Sequence, residues 1–276
     1  MRSAASMFLR CGVVVMLVLL ALPLPGEAQG RVAHPRVLLD NFFNNEWRTD
    51  STGVRVRYHY LWHDTANSGF SILGSIIRGL GAVTDTLCRR PDAASLRSAD
   101  LYIIVDPDTP QETDHPERID SAASDVIARW VARGGVLVLL GNDRGNCDLA
   151  GLSVLGARFG IRFNEDSRNR VIGKAYQTGT FEWLPDHPLF HGVRKIYLKE
   201  ISTLALTPPA RALLTDSTHV VIATARFGRG FVFAVGDPWF YDEYMDARRL
   251  PADYDNQRAA RNLFPWLLGQ RKKTHR

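Results

Sequence analysis

Four apolar runs constrain this chain more than any other feature: "RVLLD" at 36–40, "LYIIVD" at 101–106, "GVLVLL" at 135–140 and "FVFAV" at 231–235. Each is apolar on both parities, so as a strand it has to be covered on two faces. Between them lie helical patterns, "SGFSILGSIIRGLG" from Ser68, ended by Gly79 and Gly81, and "IDSAASDVIARWVARGG" from Ile119, ended by Gly134 and Gly135. "GAVTDTL" at 81–87 supplies another strand, and the first half reads β-α-β-α-β-α-β. That order predicts a mainly parallel sheet held between helical layers.

From about Ile161 the segments shorten and Gly, Pro and Asp punctuate them. In "HVVIATARFGRGFVFAV" the Gly228-Arg229-Gly230 turn joins two apolar runs and reads as a β-hairpin. These later strands are expected to extend one edge of the sheet in antiparallel fashion. "NQRAARNLFPWLLGQ" then closes the domain as an amphipathic helix, and the 276 residues carry no internal repeat or low-complexity linker.

The N-terminus reads separately. Arg2 and Arg10 precede the apolar run "CGVVVMLVLLALPLP", and Gly26 and Ala28 suit a signal peptidase site. Residues 1–28 are therefore expected to be a signal peptide cleaved after Ala28, with an uncleaved anchor as the alternative. A periplasmic or secreted protein without a membrane segment after cleavage would follow. Cys88 and Cys147 then remain, either as one disulfide or as two unpaired residues. The net charge of +5 falls by one when Arg2, Arg10 and Glu27 leave, and the tail 270–276 holds four of the positive charges. The body between, residues 35–269, is nearly neutral and has no basic stripe interleaved with aromatics, which excludes nucleic acid as the expected partner.

In open parallel sheets ligands bind beyond the carboxyl ends of the strands. Here "RVLLD" runs into "NFFNNEW", "LYIIVD" into "PDTPQETDHP", "GVLVLL" into "GNDRGN" and "FVFAV" into "GDPWFYDEY". These ends should gather Asp40, Asn41, Asn44, Glu46, Asp106, Asp108, Asn142, Asp143, Asp237 and Trp239 on one rim. Turn and helix-cap chemistry explains Asp106, Asp108 and Asn142 equally well when each is taken alone. The run Asn164, Glu165, Asp166, Ser167, Arg168, Asn169 could bond polyols or be an ordinary polar loop. Trp239, Tyr241 and Tyr244 read either as packing residues or as a sugar-stacking platform. His59 and His63 have a spacing found in helical metal sites, yet the β-prone "YHYLWHD" argues against a helix, so His63 is kept as a ligand-binding candidate and no metal or cofactor is expected. Lys199 and Glu200 are adjacent, so in a strand only one of them can face the site.

At these residues the sequence resembles the glutamine-amidotransferase-like domain that accompanies bacterial unsaturated rhamnogalacturonyl hydrolases. "VLLDNFFNNE", "YHYLWHDTANSGFSILG", "YIIVDPDTP", "GGVLVLLGNDRGN", "FNEDSRNRV", "KIYLKEIST", "FAVGDPWFYDEY" and "RRLPADYDN" carry the likeness over most of residues 35–269. It implies a flavodoxin-like three-layer α/β sandwich and a role around acidic plant glycans, with such a hydrolase as a partner in the same pathway. Amidotransferase chemistry is not implied. Asn142 and Asp143 stand where a nucleophilic cysteine elbow belongs, and Cys147 comes several residues later.

Two functions follow as expectations. One is a secreted accessory or binding protein for acidic cell-wall oligosaccharides, with Arg168, Lys199, Arg248 and Arg249 meeting carboxylates. The other is a glycan-active hydrolase drawing its acids from Asp237, Glu200, Asp106 and Asp143, with Glu200 as proton donor if desolvated. A calcium site from Asp106, Asp108 and Asp143 is a lesser variant, since no loop of recognised spacing is present.

Overall fold

The computed structural model describes residues 34–271. The expected signal peptide, and all of the basic tail beyond Arg271, lie outside the described residues. In chain order the first half holds β1 (Arg36–Asp40), β2 (Trp47–Thr49), β3 (Arg55–Arg57), α1 (Ser71–Gly79), β4 (Val83–Leu87), α2 (Ala93–Leu96), β5 (Leu101–Val105), α3 (Ser121–Ala132) and β6 (Val136–Leu140). The second half holds α4 (Leu149–Gly156), β7 (Ile161–Phe163), β8 (Thr180–Phe181), β9 (Ile196–Tyr197), β10 (Leu204–Leu206), β11 (Arg211–Asp216), β12 (His219–Phe227), β13 (Gly230–Val235), α5 (Asp242–Met245) and α6 (Asn256–Gln270).

The four apolar runs become β1, β5, β6 and β13, and together with β4 they form the parallel part of the main sheet, in the order β4-β1-β5-β6-β13. Their double-sided apolarity has the expected cause. Val37, Leu39, Ile103, Val105, Val138 and Phe233 share one core with α1 and α6. Residues of the other parity, Leu38, Tyr102, Ile104, Leu137, Leu139 and Val232, share a second core with α3 and α4. The result is a three-layer α/β sandwich. Truncating any fully buried member to alanine should cost about 2–5 kcal/mol.

Beyond β13 the sheet turns antiparallel through β12, β10 and β7, with β11 also pairing β12. The hairpin at Gly228 forms as read, with φ of 58° at that glycine. Helix ends are satisfied locally for α3, where Asp120 accepts from the Ala123 N–H at 2.9 Å. Helix α1 has no local side-chain cap. Its first turn is instead met from far along the chain by the Asp242 carboxylate, which accepts from the Ile72 N–H at 2.9 Å and the Ser71 hydroxyl at 2.5 Å. That contact ties the polar segment after β13 to the layer containing α1. No described helix is long and apolar enough to cross a membrane.

Candidate functional site

Numbered by order in the chain, the parallel strands run 2-1-3-4-5 across the sheet, the flavodoxin-like order. The chain reverses direction of travel between β1 and β5, and in such sheets the crevice at that switch, beyond the carboxyl ends, is where ligands bind. Asp40 and Asn41 end β1, and Asp106 follows β5. Asn44 joins the two ends by donating from Nδ2 to the Asp106 carbonyl at 2.8 Å.

Asp106 is the centre of this cluster. Its carboxylate accepts from the Tyr60 hydroxyl at 2.5 Å and from Asn142 Nδ2 at 3.0 Å. Burial drives its pKa well above the usual carboxylate range, although both hydrogen bonds oppose that shift. Asp40 accepts from the Phe43 N–H at 2.7 Å and from the Tyr102 hydroxyl, yet burial raises it to about 6. Asp108 accepts from the Asn45 N–H at 3.0 Å and the Thr113 hydroxyl at 2.8 Å and is likewise raised to about 6 by burial. Three oxygens here, Asn44 Oδ1, Asp106 Oδ1 and Asp108 Oδ1, are buried and have no hydrogen-bond donor among the described residues. Unmet buried acceptors are costly and rare in folded proteins.

A second wall comes from β13 and the loop after β9. Asp237 accepts from the Lys199 N–H at 2.8 Å and from the Trp239 N–H, and burial raises its pKa to about 7. Tyr241 lies between the two walls, its hydroxyl 3.4 Å from that of Tyr60. The third wall is the 164–169 loop. Ser167 donates to Asp143, Asn164 Nδ2 donates to Thr203 Oγ1 at 2.8 Å, and the Glu200 N–H reaches the Asn169 carbonyl at 3.2 Å.

The backbone is unusual in the same place. Among the described residues seven non-glycines have positive φ, and six of them, His59, Tyr60, Asp106, Asn169, Glu200 and Trp239, belong to these walls or to the turn leading into Tyr60. Each such residue costs roughly 1–3 kcal/mol and persists only where its surroundings enforce it, a pattern concentrated at functional sites.

Several expectations change. Glu200 and Lys199 do not diverge: φ of 51° at Glu200 breaks the strand alternation, and the Lys199 ammonium meets Glu200 Oε2 at 3.0 Å. Glu200 is half-buried and ion-paired, whereas Asp237, the other acid of this wall, is buried. The strained strand-end position is Asp106, after β5, rather than Asn142 and Asp143 after β6. Trp239 is 1% exposed and packs against Phe240 in the core, so its face is closed to a sugar ring. Arg168 turns toward Asp216, 3.6 Å away; Arg248 bonds Asp246 and the Thr65 carbonyl; Arg249 pairs with Glu243 at 3.0 Å. Those three cations are already occupied at the edges of the rim. Glu165 and His63 are exposed, and His59 instead faces Glu46, with Nδ1 2.5 Å from Oε1.

Cys88 and Cys147 are free thiols, the first exposed and the second buried, so no bridge joins them. Burial, with Asp106 nearby, pushes the Cys147 thiol well above its ordinary pKa, the opposite of what a nucleophile needs. The calcium variant finds no support, because among the described residues no three His, Cys, Asp or Glu side chains form a metal-holding group. A cleft of about 830 Å³ does exist between the 182–193 segment and α6, but no rim residue lines it. No strand-end residue lines it, so the candidate site is placed by the chemistry at the switch.

Tyr60 and Tyr102 were not anticipated as rim residues. Tyr102 lies inside a buried strand, where its hydroxyl was the one visible signal that a polar partner had to be near. The β2–β3 hairpin was also missed, although "WRTDSTGVRVR" shows alternation on both sides of an Asp-Ser-Thr-Gly turn.

Fold and rim together define a flavodoxin-like α/β sandwich with a buried polar cluster at its switch point. Among solved structures the chain is similar to the N-terminal domain of mmIFT52, with TM-score 0.63 and 17% identity over 87% of this chain and 100% of that one. It is also similar to two proteins of Salmonella typhimurium: cytoplasmic protein STM1381 of strain LT2, with TM-score 0.57 and 13% identity over 87% and 100% of the two chains, and cytoplasmic protein STM3548, with TM-score 0.52 and 15% identity over 82% and 97%. At such identities the likeness is one of fold alone. No protein-family model and no curated protein matches the chain.

Proposed function

We propose that the protein recognises acidic, hydroxyl-rich oligosaccharides of the plant cell wall and serves as an accessory to their breakdown. The observation that carries this reading is the switch-point cluster. Carboxyl, amide and phenol groups from four strand ends converge there on strained backbone, and three of their buried oxygens lack donors among the described residues. Carboxyl, amide and phenol groups are the side chains that exchange hydrogen bonds with sugar hydroxyls. The pectic class of ligand, the pathway shared with an unsaturated rhamnogalacturonyl hydrolase and a periplasmic or secreted location rest on the sequence resemblance and the N-terminal pattern. Glutamine hydrolysis has no place in this reading, since the one buried thiol near the rim is held protonated. Titration calorimetry with pectic oligosaccharides tests it: saturable binding weakened by Asn142→Ala and Tyr241→Ala is expected, and absence of heat with every acidic glycan overturns it.

A hydrolase is the second reading, favoured by one observation. Asp237, with a pKa raised to about 7, can hold and release a proton near neutral pH, as a general acid must. Mass spectrometry of oligosaccharides incubated with the protein separates the readings. New products lost in Asp237→Asn make the rim an active site, whereas intact oligosaccharides with measurable binding leave a recognition module.

A further inference from the structure

The arginines expected to meet ligand carboxylates are engaged with acids of the same chain, and this leaves an acidic ligand without obvious counter-charges at the rim. The β2–β3 hairpin supplies them. It leaves the switch point directly after β1, and its register pairs Trp47 with Arg57 and Thr49 with Arg55, so Trp47, Arg55 and Arg57 share one face. The Arg55 and Arg57 guanidiniums lie 5.2 and 4.8 Å from the Trp47 ring centroid. Arg48 is on the other face, 5.2 Å from the Tyr58 ring.

The hairpin is mounted rigidly on the rim. Arg57 Nη1 donates to the Asn41 carbonyl at 2.7 Å, the Tyr58 N–H donates to the Glu46 carbonyl at 3.3 Å, and Trp47 Nε1 donates to Asn45 Oδ1 at 2.9 Å. Its turn is closed by Asp50 Oδ1, which accepts from the N–H groups of Thr52 at 2.8 Å and Val54 at 3.0 Å. Arg55 is exposed and makes no ion pair among the described residues. A guanidinium resting over a ring keeps its N–H edges directed outward, and that planar fork matches a carboxylate in two parallel bonds.

We propose that the Trp47–Arg55–Arg57 face of the β2–β3 hairpin is the carboxylate-recognition site of this protein, placing the uronate group of an oligosaccharide whose hydroxyls enter the switch-point rim. The inference rests on the carbohydrate-binding reading and adds the site of its charge selectivity. Charge complementarity and continuity with the rim select a carboxylated sugar over a protein or membrane partner. The occupant must present separate carboxylates and hydroxyls to two adjoining surfaces, not an extended anionic plane.

The test is calorimetry with a galacturonic acid trimer, its carboxyl-reduced neutral counterpart and inorganic tripolyphosphate, on the wild type and on Arg55→Gln, Arg55→Lys and Arg48→Gln. All three substitutions are at exposed positions, and unchanged thermal midpoints verify the fold. Arg55→Gln should weaken the charged trimer by about tenfold, Arg55→Lys by less, and neither should change the neutral trimer. Arg48→Gln removes the same charge from the opposite face and should change affinity by less than about threefold. Equal losses in Arg48→Gln and Arg55→Gln, equal affinity of the wild type for charged and neutral trimers, or tripolyphosphate binding as tightly as the uronate overturns the hairpin site while leaving carbohydrate binding intact. A wild type that binds neither trimer overturns the underlying reading as well.

Discussion

The Tyr60 hydroxyl donates to Asp106 Oδ2 at 2.5 Å, joining two residues whose φ angles, 50° and 45°, both lie in the left-handed region. Neither residue adopts that conformation cheaply, so the bond couples two strained segments of the polar cluster. Removing the hydroxyl leaves Asp106 with Asn142 as its one side-chain donor in a buried site. Tyr60→Phe should lower stability by about 1–3 kcal/mol. An unchanged urea midpoint would mean that the contact does not hold the cluster together.

Three buried rim carboxyls set a pH dependence. Asp40 and Asp108 are raised to about 6 and Asp237 to about 7, from 3.8, in each case chiefly by burial. Between these limits each of the three binds more protons in the folded chain than in the unfolded one, so the stability they contribute falls as pH rises from about 4 to about 7, and Asp106, raised well above the usual range by burial, extends the fall to higher pH. Asp40→Asn should flatten part of this slope. The amide oxygen still accepts from Phe42 and Phe43, the NH₂ can meet Tyr102, and no charge is buried. A shift of that size corresponds to about 3 kcal/mol at pH 8. Thermal midpoints across pH 4.5–8 check it, and a flat wild-type profile contradicts it.

Gly236 is required by a close approach. A Cβ there would stand 1.7 Å from the Ser202 carbonyl oxygen, a backbone atom that cannot swing aside, while the Ser202 N–H donates to the Gly236 carbonyl at 3.0 Å. This contact sets Asp237 against Lys199. Gly236→Ala should therefore lower stability by more than about 2 kcal/mol and weaken glycan binding, whereas Gly79→Ala, whose added methyl meets nothing within 4 Å, should be neutral or stabilising by up to about 1 kcal/mol. Paired urea titrations decide between a local clash and a general sensitivity to added methyls.

Sequence pattern reveals the sheet because burial on two faces leaves a direct mark: Val37 through Leu39 and Phe231 through Val235, alternating with helical patterns, read as central strands. The strand ends were legible for the same reason, as the positions where apolar runs stop at Asp40, Asp106 and Asp237. Direction of side chains was not legible. Lys199 and Glu200 meet because one residue takes a left-handed conformation, and no propensity marks a glutamate for that. Arg168, Arg248 and Arg249 looked available because ion pairing depends on neighbours distant in sequence, as with Arg168 and Asp216. The Trp47–Arg57 pair required knowledge of register, which the turn at Asp50 sets and alternation alone left unread.

Trp239 separates packing from recognition most sharply. It is 1% exposed, its ring centroid lies 4.6 Å from that of Phe240, and its backbone N–H is held by Asp237. The indole thus anchors the segment that carries Asp237 and Tyr241, and it offers no face to a ligand. Trp239→Ala should cost about 3–5 kcal/mol, while Trp239→Phe keeps an aromatic core contact and should cost less. If packing is its role, Trp239→Phe leaves oligosaccharide affinity within about twofold of wild type under conditions where both are folded. Stacking on a sugar instead would lower affinity by about 0.5–1.5 kcal/mol, several-fold, with little change in unfolding midpoint. Calorimetry and urea unfolding on the same preparation distinguish the two, because a core residue changes the second measurement and a platform residue the first.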